Sequence, residues 1–114
     1  MEMELSQEGT IHILTLRGRL DAPVAGLLKD RLQALVDEGA ARVVLNLDGV
    51  EFLDSSGLGV LVSTLRKVKE KKGEIKLAGL RPEVRSIFDI TRVARLFHIC
   101  PDVRTSIEAF QRMG

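Results

Sequence analysis

The residues of this sequence best suited to chemistry are four in a row: Asp54, Ser55, Ser56 and Gly57. They lie between an apolar stretch with strand character and a segment of helical periodicity. A serine there can cap the helix, act as a nucleophile if a base activates it, or carry a phosphoryl group where free backbone N–H groups favour an anion. Two adjacent hydroxyls exceed what one cap requires, and the small neighbouring residues admit another protein or a kinase. The segment is therefore a candidate phosphorylation site as well as a helix start.

The rest of the sequence does not support an activated serine nucleophile. Its two histidines, His12 and His98, both fall in strand patterns. Neither Ser55 nor Ser56 is the centre of a Gly-x-Ser-x-Gly motif, which places the nucleophile of many hydrolases on a sharp turn. We therefore predict no catalytic residue and no enzymatic activity.

Motifs for cofactors, metals and nucleic acids are also missing. Gly57 and Gly59 lie at a strand-to-helix turn, but no Walker pattern with its lysine accompanies them. Two separated histidines and one cysteine make a structural zinc site improbable. The basic end of the second predicted helix lacks the aromatic platform of single-strand binders and is interpreted as a solvated helix end. We expect no cofactor, no metal and no direct nucleic-acid partner.

The spacing of apolar residues predicts alternating strands and helices. Strands are predicted near residues 1–6, 10–16, 42–47, 74–78 and 97–100, and helices near 21–38, 58–72, 82–90 and 102–110. Gly18 is expected to end the second strand, and Asp48 with Gly49 to interrupt the third. In the first helix, Leu27 is expected on the inward face, Asp21 or Ala22 near the cap, and Pro23 in the first turn.

This element order predicts an α/β fold. An initial hairpin followed by strand–helix–strand units implies right-handed parallel crossovers. We expect a mostly parallel central sheet with an antiparallel N-terminal edge strand, covered by helices, as a single domain over residues 1–114. Loops that follow parallel strands meet at one end of the sheet, where binding sites usually form, and 54–57 is one of these loops.

Composition indicates where in the cell the protein is expected and which general classes of partner it is not expected to bind. Seventeen basic and sixteen acidic side chains leave a formal charge of +1, so no global field attracts nucleic acid or membrane. One cysteine, Cys100, forms no internal disulfide, and the first residues lack the order of a signal peptide. The longest uncharged stretch, 55–65, is shorter than the roughly 20 residues of a membrane-spanning helix. We expect a cytoplasmic protein without membrane insertion.

Two stretches resemble the signature of the STAS family, the anti-sigma factor antagonists. They are Val-Leu-Asn-Leu at 44–47 and Phe-Leu-Asp-Ser-Ser-Gly-Leu-Gly-Val at 52–60. Gly-Arg-Leu-Asp at 18–21 resembles a second landmark of the family. The likeness extends over essentially the whole chain, including the order of strands and helices, and implies the STAS fold.

The resemblance also implies a function and its residues. In that family, a serine kinase that is also the anti-sigma factor phosphorylates the first serine after the signature aspartate, which here is Ser55, with Ser56 as the alternative. The unphosphorylated form binds the kinase and frees a sigma factor, and a metal-dependent serine phosphatase resets the modified form. The residues implied in partner binding are Asp21, Asp54, Ser55, Ser56, Gly57 and Leu58. Other members are regulatory subunits of lipid-transport ABC complexes or parts of stress-signalling scaffolds, which remain the alternative.

Overall fold

A computed structural model describes residues 1–112 and contains alternating strands and helices. The strands are β1 (Glu2–Glu8), β2 (Ile11–Leu20), β3 (Arg42–Leu53), β4 (Glu74–Ala78) and β5 (His98–Cys100). The helices are α1 (Ala22–Asp37), α2 (Ser55–Glu70), α3 (Pro82–Ile90) and α4 (Val103–Arg112), with a short 3₁₀ helix at Val93–Leu96.

The strands form one sheet in the order β1-β2-β3-β4-β5. β1 is antiparallel to β2, and β2, β3, β4 and β5 run parallel to one another. The predicted α/β class, with an antiparallel N-terminal edge strand on a mostly parallel sheet, is confirmed. Because each parallel crossover passes through a helix, the carboxyl ends of β2 and β3 lead directly into α1 and α2.

Helices cover both faces of the sheet. Successive side chains of a strand point to opposite faces, so Val43 and Leu45 of β3 face one layer and Val44 the other. Val43 and Leu45 belong to the larger apolar cluster, which includes buried residues of α1, α2 and α3. Val44 belongs to a smaller cluster with Ile107 and Phe110 of α4. One helix thus closes the second face.

Two predicted strand ends are wrong, because in both places the pairing of β2 with β3 continues past a glycine. β2 continues through Gly18 to Leu20, and β3 continues through Asp48 and Gly49 to Leu53. Irregularities in the β2–β3 ladder, at 15–17 and 18–19, absorb the residues that do not fit the regular pairing. Gly18 has a φ of +110°, which side chains rarely adopt, so the glycine permits the irregularity instead of ending the strand.

Three smaller differences concern the helices. Leu27, expected to face inward, is 65% exposed. α2 begins at Ser55, three residues before the predicted start, because Asp54 caps it, and it ends at Glu70 and not at residue 72, because Lys72 has a left-handed φ of 61°. The 3₁₀ helix before β5 was not predicted, since four residues are too few to establish a helical period.

Candidate functional site

The starts of α1 and α2 lie next to each other at the carboxyl edge of the sheet. Leu20 and Leu53, near the ends of β2 and β3, are direct register partners. α1 begins two residues after Leu20, and α2 begins two residues after Leu53. The N-terminal ends of two helices therefore meet at this edge, and the helix dipoles give it a partial positive charge.

Asp54 joins the two helix starts through its carboxylate. The Gly57 backbone N–H donates to Asp54 Oδ1 at 3.0 Å, which caps α2, and the Ala22 N–H donates to Asp54 Oδ2 at 3.0 Å, within the first turn of α1. The Asp54 backbone N–H in turn donates to the Leu20 carbonyl at 3.2 Å. One side chain thus satisfies a donor of each helix and holds the two loops together.

The two serines are not the cap of α2. Both are exposed, and within residues 1–112 neither the Ser55 nor the Ser56 hydroxyl forms a hydrogen bond. Because Asp54 has already taken the capping role, interpreting either serine as the helix cap is wrong. Both hydroxyls are free to react without the loss of an internal contact.

Asp21 occupies the N-cap position of α1, but its side chain makes no capping bond. Its Oδ2 lies 3.4 Å from Nε of Arg19 instead, and the Arg19 guanidinium lies 4.0 Å from the centre of the Phe52 ring. The predicted cap position of Asp21 is therefore confirmed, although its side chain does not bond to the helix. Arg19 and Phe52 were not predicted as site residues, although they are register partners beside the loop.

The remaining predicted site residues, Gly57 and Leu58, lie in the interior. A Cβ on Gly57 would be 2.6 Å from Leu20 Cγ and 2.9 Å from Leu53 Cδ1, so only glycine fits where α2 starts against the two strands. Leu58 is 8% exposed and belongs to the main core. These two residues can position the loop, whereas Asp21, Ser55 and Ser56 are accessible at its surface.

Other kinds of site were also sought in the described part of the chain. Residues 1–112 contain no group of three histidine, cysteine, aspartate or glutamate residues arranged to hold a metal ion. No helix within that range has the length and apolar character needed to cross a membrane. His12 and His98 lie on β2 and β5, away from Ser55.

Comparison with known proteins agrees with the strand-to-loop-to-helix arrangement. The sequence profile of the STAS domain family matches residues 2–106. The chain belongs to the STAS domain family. The match includes both landmarks around Asp21 and Asp54, and it ends at Ser106, so the predicted extent of the domain to residue 114 stays a prediction.

The STAS chain has relatives of nearly its own length. BtrV of Bordetella bronchiseptica, which bears the name of an anti-sigma factor antagonist, is 29% identical over 111 residues, covering 97% of this chain and 96% of BtrV. The anti-sigma-B factor antagonist of Staphylococcus aureus is 25% identical over 99 residues, covering 87% of this chain and 92% of that protein.

Solved structures share the fold of this STAS chain. An anti-sigma factor antagonist from Mycobacterium paratuberculosis superposes with a TM-score of 0.87 at 23% identity, covering 95% of this chain and 92% of that one. The Bacillus cell fate determinant SpoIIAA in its phosphorylated form gives a TM-score of 0.73 at 20% identity, covering 99% and 100%. Its unphosphorylated form gives 0.75, covering 98% of this chain and 97% of that one.

Proposed function

We propose that this STAS protein is an anti-sigma factor antagonist whose binding to its partner is switched by phosphorylation of Ser55. In the unmodified state it binds an anti-sigma factor that is also a serine kinase, and so frees a sigma factor. The phosphorylated state releases the kinase, and a metal-dependent phosphatase restores the first state. The names of BtrV and of the Staphylococcus protein support the class of function, and the two SpoIIAA structures are of a relative that exists in both forms.

One observation supports the 54–57 segment as the site: Asp54 provides the cap, so neither exposed serine hydroxyl is needed to hold α2. Ser55 is proposed over Ser56 because it is the first serine after Asp54 in the family signature. A phosphoryl group on this oxygen breaks no hydrogen bond within residues 1–112. It also adds negative charge at a helix N-terminus, where the dipole favours an anion. Modification of Ser55 should therefore leave the fold intact.

The same charge has a large effect on a partner that packs against the loop. A phosphoserine adds about −1.5 to −2 charges. One like-charge contact at about 5 Å with an effective dielectric near 20 costs about 3 kcal/mol. Since about 1.4 kcal/mol changes an affinity tenfold, a single unfavourable contact is enough to release the partner.

Affinity capture with three forms of the full chain tests the proposal. The parent and Ser55→Ala should recover a small ATPase-type kinase from extracts of the source cell, whereas Ser55→Asp should recover at least tenfold less. Ser6→Asp is a matched control, because Ser6 is an exposed residue of β1 whose register partner, Ile13, lies near the other end of β2. Recovery of transporter subunits or of a large scaffold would contradict the sigma-factor function and favour the alternative members of the family.

The recovered kinase then allows the site itself to be mapped. Incubation of the parent with kinase and ATP should give a phosphopeptide that contains Ser55, and Ser55→Ala should abolish it. Phosphate on Ser56 alone would move the switch by one residue. Phosphate only outside 54–57, or unchanged binding by the fully phosphorylated protein, would refute the loop as the switch.

A further inference from the structure

A groove on the far half of α2 lies outside residues 54–57, the segment that carries the proposed phosphorylation site and that we call the phosphorylation loop. The groove has a volume of about 770 Å³ and runs between α2 and the 3₁₀ helix. Its apolar residues are Val62, Leu65 and Leu96, and Leu96 is 46% exposed. We call this feature the α2 groove. Val62 is half-buried and Leu65 is buried, so Leu96 is the main exposed apolar side chain of the groove. Single exposed apolar residues are common on protein surfaces, so the case for a binding surface depends on Leu96 together with the shape of the groove and the charge of its rim.

The rim of the α2 groove is basic. Arg66, Lys69 and Arg95 line it together with one acidic residue, Glu70. All four are exposed, and within residues 1–112 none of them forms an ion pair or a side-chain hydrogen bond. In a chain with a formal charge of only +1, this cluster is a local excess of positive charge.

Neighbouring lysines at the end of α2 differ from Arg66 and Lys69 in their contacts. Lys67 Nζ donates to Gln33 Oε1 at 2.6 Å, and Lys71 Nζ donates to the Val36 carbonyl at 3.3 Å. Both therefore fasten the end of α2 to α1. Arg66 and Lys69 lie on the groove side of the helix and have no such role.

We propose that the α2 groove binds an acidic amphipathic helix of a partner protein. Its apolar side chains would pack on Val62, Leu65 and Leu96, and its carboxylates would pair with the free cations of the rim, as in helix-in-groove recognition. The groove offers no aromatic residue for base stacking, which disfavours nucleic acid as the occupant. Its concave form suits a helix better than a lipid surface.

The α2 groove is separate from the proposed switch. Ser55 and Arg66 are 11 residues apart on one helix, which corresponds to about 16 Å at about 1.5 Å per residue. Such a distance exceeds the Debye length of about 8 Å at physiological ionic strength. Binding in the groove should therefore continue when Ser55 is phosphorylated, so that a second protein can remain attached while the kinase leaves.

A designed peptide tests the groove on the full chain. The probe has leucines at positions i, i+3, i+4 and i+7 and glutamates elsewhere, and its control is a scramble of the same composition. Fluorescence anisotropy should show that the patterned probe binds at least tenfold more tightly than the scramble. Backbone amide shifts in NMR should change around Val62, Arg66 and Leu96, and not at Ser55.

Variants decide whether the groove residues are responsible. Arg66→Glu with Arg95→Glu should weaken probe binding at least tenfold, whereas Lys29→Glu, an exposed cation of α1, should change it less than twofold. Ser55→Asp should also change it less than twofold, which separates this proposal from the switch. Equal binding of probe and scramble, or no response to the double variant, would refute the proposal. Stronger Arg66-dependent binding to phosphatidylserine vesicles or single-stranded DNA would refute it as well.

Discussion

At the scale of single residues, the phosphorylation loop depends on a division of labour between Asp54 and the serines beside it. The Asp54 carboxylate accepts from Gly57 in α2 and from Ala22 in α1. A carboxylate has two oxygens and about four acceptor positions, which is why one side chain can serve two helices. The Ser55 hydroxyl is therefore available for modification, and the stability of the loop does not depend on it.

Substitution of Asp54 should show this division directly. Asp54→Ala leaves the Gly57 and Ala22 N–H groups without their acceptor. Each lost bond costs about 0.5–2 kcal/mol, so we expect a loss of about 1–4 kcal/mol in the free energy of unfolding. Asp54→Asn retains one acceptor oxygen and should lose less. Ser55→Ala, the control, should stay within about 0.5 kcal/mol. Urea denaturation measures all three, and equal losses for Asp54→Ala and Ser55→Ala would contradict the assignment.

Asp102 predicts a pH effect at the start of α4. The Thr105 backbone N–H donates to Asp102 Oδ1 at 2.8 Å, and this bond, with a further one from the Thr105 side chain, lowers the pKa of the Asp102 carboxyl. A folded-state pKa below the unfolded one means that the cap stabilises the fold above the unfolded pKa. The contribution is lost as the pH falls through the folded pKa.

NMR titration of the Asp102 carboxyl and acid unfolding of a variant measure this effect. The carboxyl should titrate below the ordinary range of aspartate. Asp102→Asn keeps an acceptor for the Thr105 N–H but cannot titrate, so its stability should fall less steeply in acid than that of the parent. A normal or raised pKa for Asp102 would contradict the capping geometry.

At the scale of elements, periodic patterns and helix-start residues located the strands and helices, whereas the glycines expected to end strands did not. β4, at Glu74–Ala78, has the predicted bounds, and α1 begins where Asp21 and Pro23 indicated. Gly18 and Gly49 failed as strand ends because the pairing between β2 and β3 continues past both positions. Whether a glycine ends a strand or permits an irregularity depends on the neighbouring strand, which no local pattern contains.

Some features of the candidate site could be predicted from the sequence, and others could not. The position of residues 54–57 after a parallel strand could be predicted from element order alone, although three of the four form the first turn of α2 and not a loop. The bond from Ala22 to Asp54 spans 32 residues, and the stacking of Arg19 on Phe52 depends on the β2–β3 register. Such contacts arise from tertiary pairing, so the spacing of residues in the sequence could not show which aspartate caps which helix.

Two glycines of α2 give a test at this scale. A Cβ on Gly57 would lie 2.6 Å from Leu20 Cγ and 2.7 Å from the Leu20 carbonyl oxygen, whereas nothing lies within 4 Å of one on Gly59. Gly57→Ala must displace the start of α2 and should cost about 1–3 kcal/mol in unfolding free energy. Gly59→Ala should be neutral or stabilise by up to about 1 kcal/mol, because alanine is the better helix former.

Thermal melts and kinase-binding measurements of the two glycine variants test this difference. Gly57→Ala should lower the melting temperature and also weaken kinase binding, since it moves the loop that carries Ser55. Gly59→Ala should lower neither the melting temperature nor the unfolding free energy. If Gly57→Ala were as stable as the parent, the close packing of α2 on β2 and β3 would be disproved.

At the scale of the whole molecule, the two faces of the sheet are stabilised differently. α1, α2 and α3 pack on one face through the larger apolar cluster, and the phosphorylation loop and the α2 groove both involve α2 of this layer. The other face is closed by α4 through a smaller cluster that also adjoins a buried charge, Lys76. The alternation of Ile75 and Leu77 gives no sign that the residue between them is 1% exposed.

The packing of α4 on the second face should therefore be most sensitive to substitutions of Lys76 and its partners. Lys76 Nζ donates to Glu74 Oε2 at 3.0 Å, lies 2.6 Å from His98 Nδ1, and lies 4.6 Å from the centre of the Phe110 ring of α4. His98 accepts this bond in the tautomer whose proton is on Nε2. The Glu74 side chain is 28% exposed, whereas that of Lys76 is 2% exposed. The two partners thus differ in their access to water.

This asymmetry predicts that removing the acid costs more than removing the base. Glu74→Gln leaves a buried ammonium without its counter-charge and should lower the free energy of unfolding by about 1–2 kcal/mol. Lys76→Met keeps an unbranched chain against Phe110 and lets Glu74 turn to water, so its change should stay within about 1 kcal/mol. The double variant should be more stable than Glu74→Gln alone, because it removes the uncompensated charge. Urea denaturation of the parent and the three variants gives the unfolding free energies for a double-mutant cycle. Hydrogen exchange of α4 amides shows whether the loss of stability lies in that layer. A larger loss for Lys76→Met than for Glu74→Gln would mean that the ammonium stabilises α4 through Phe110 more than its burial costs.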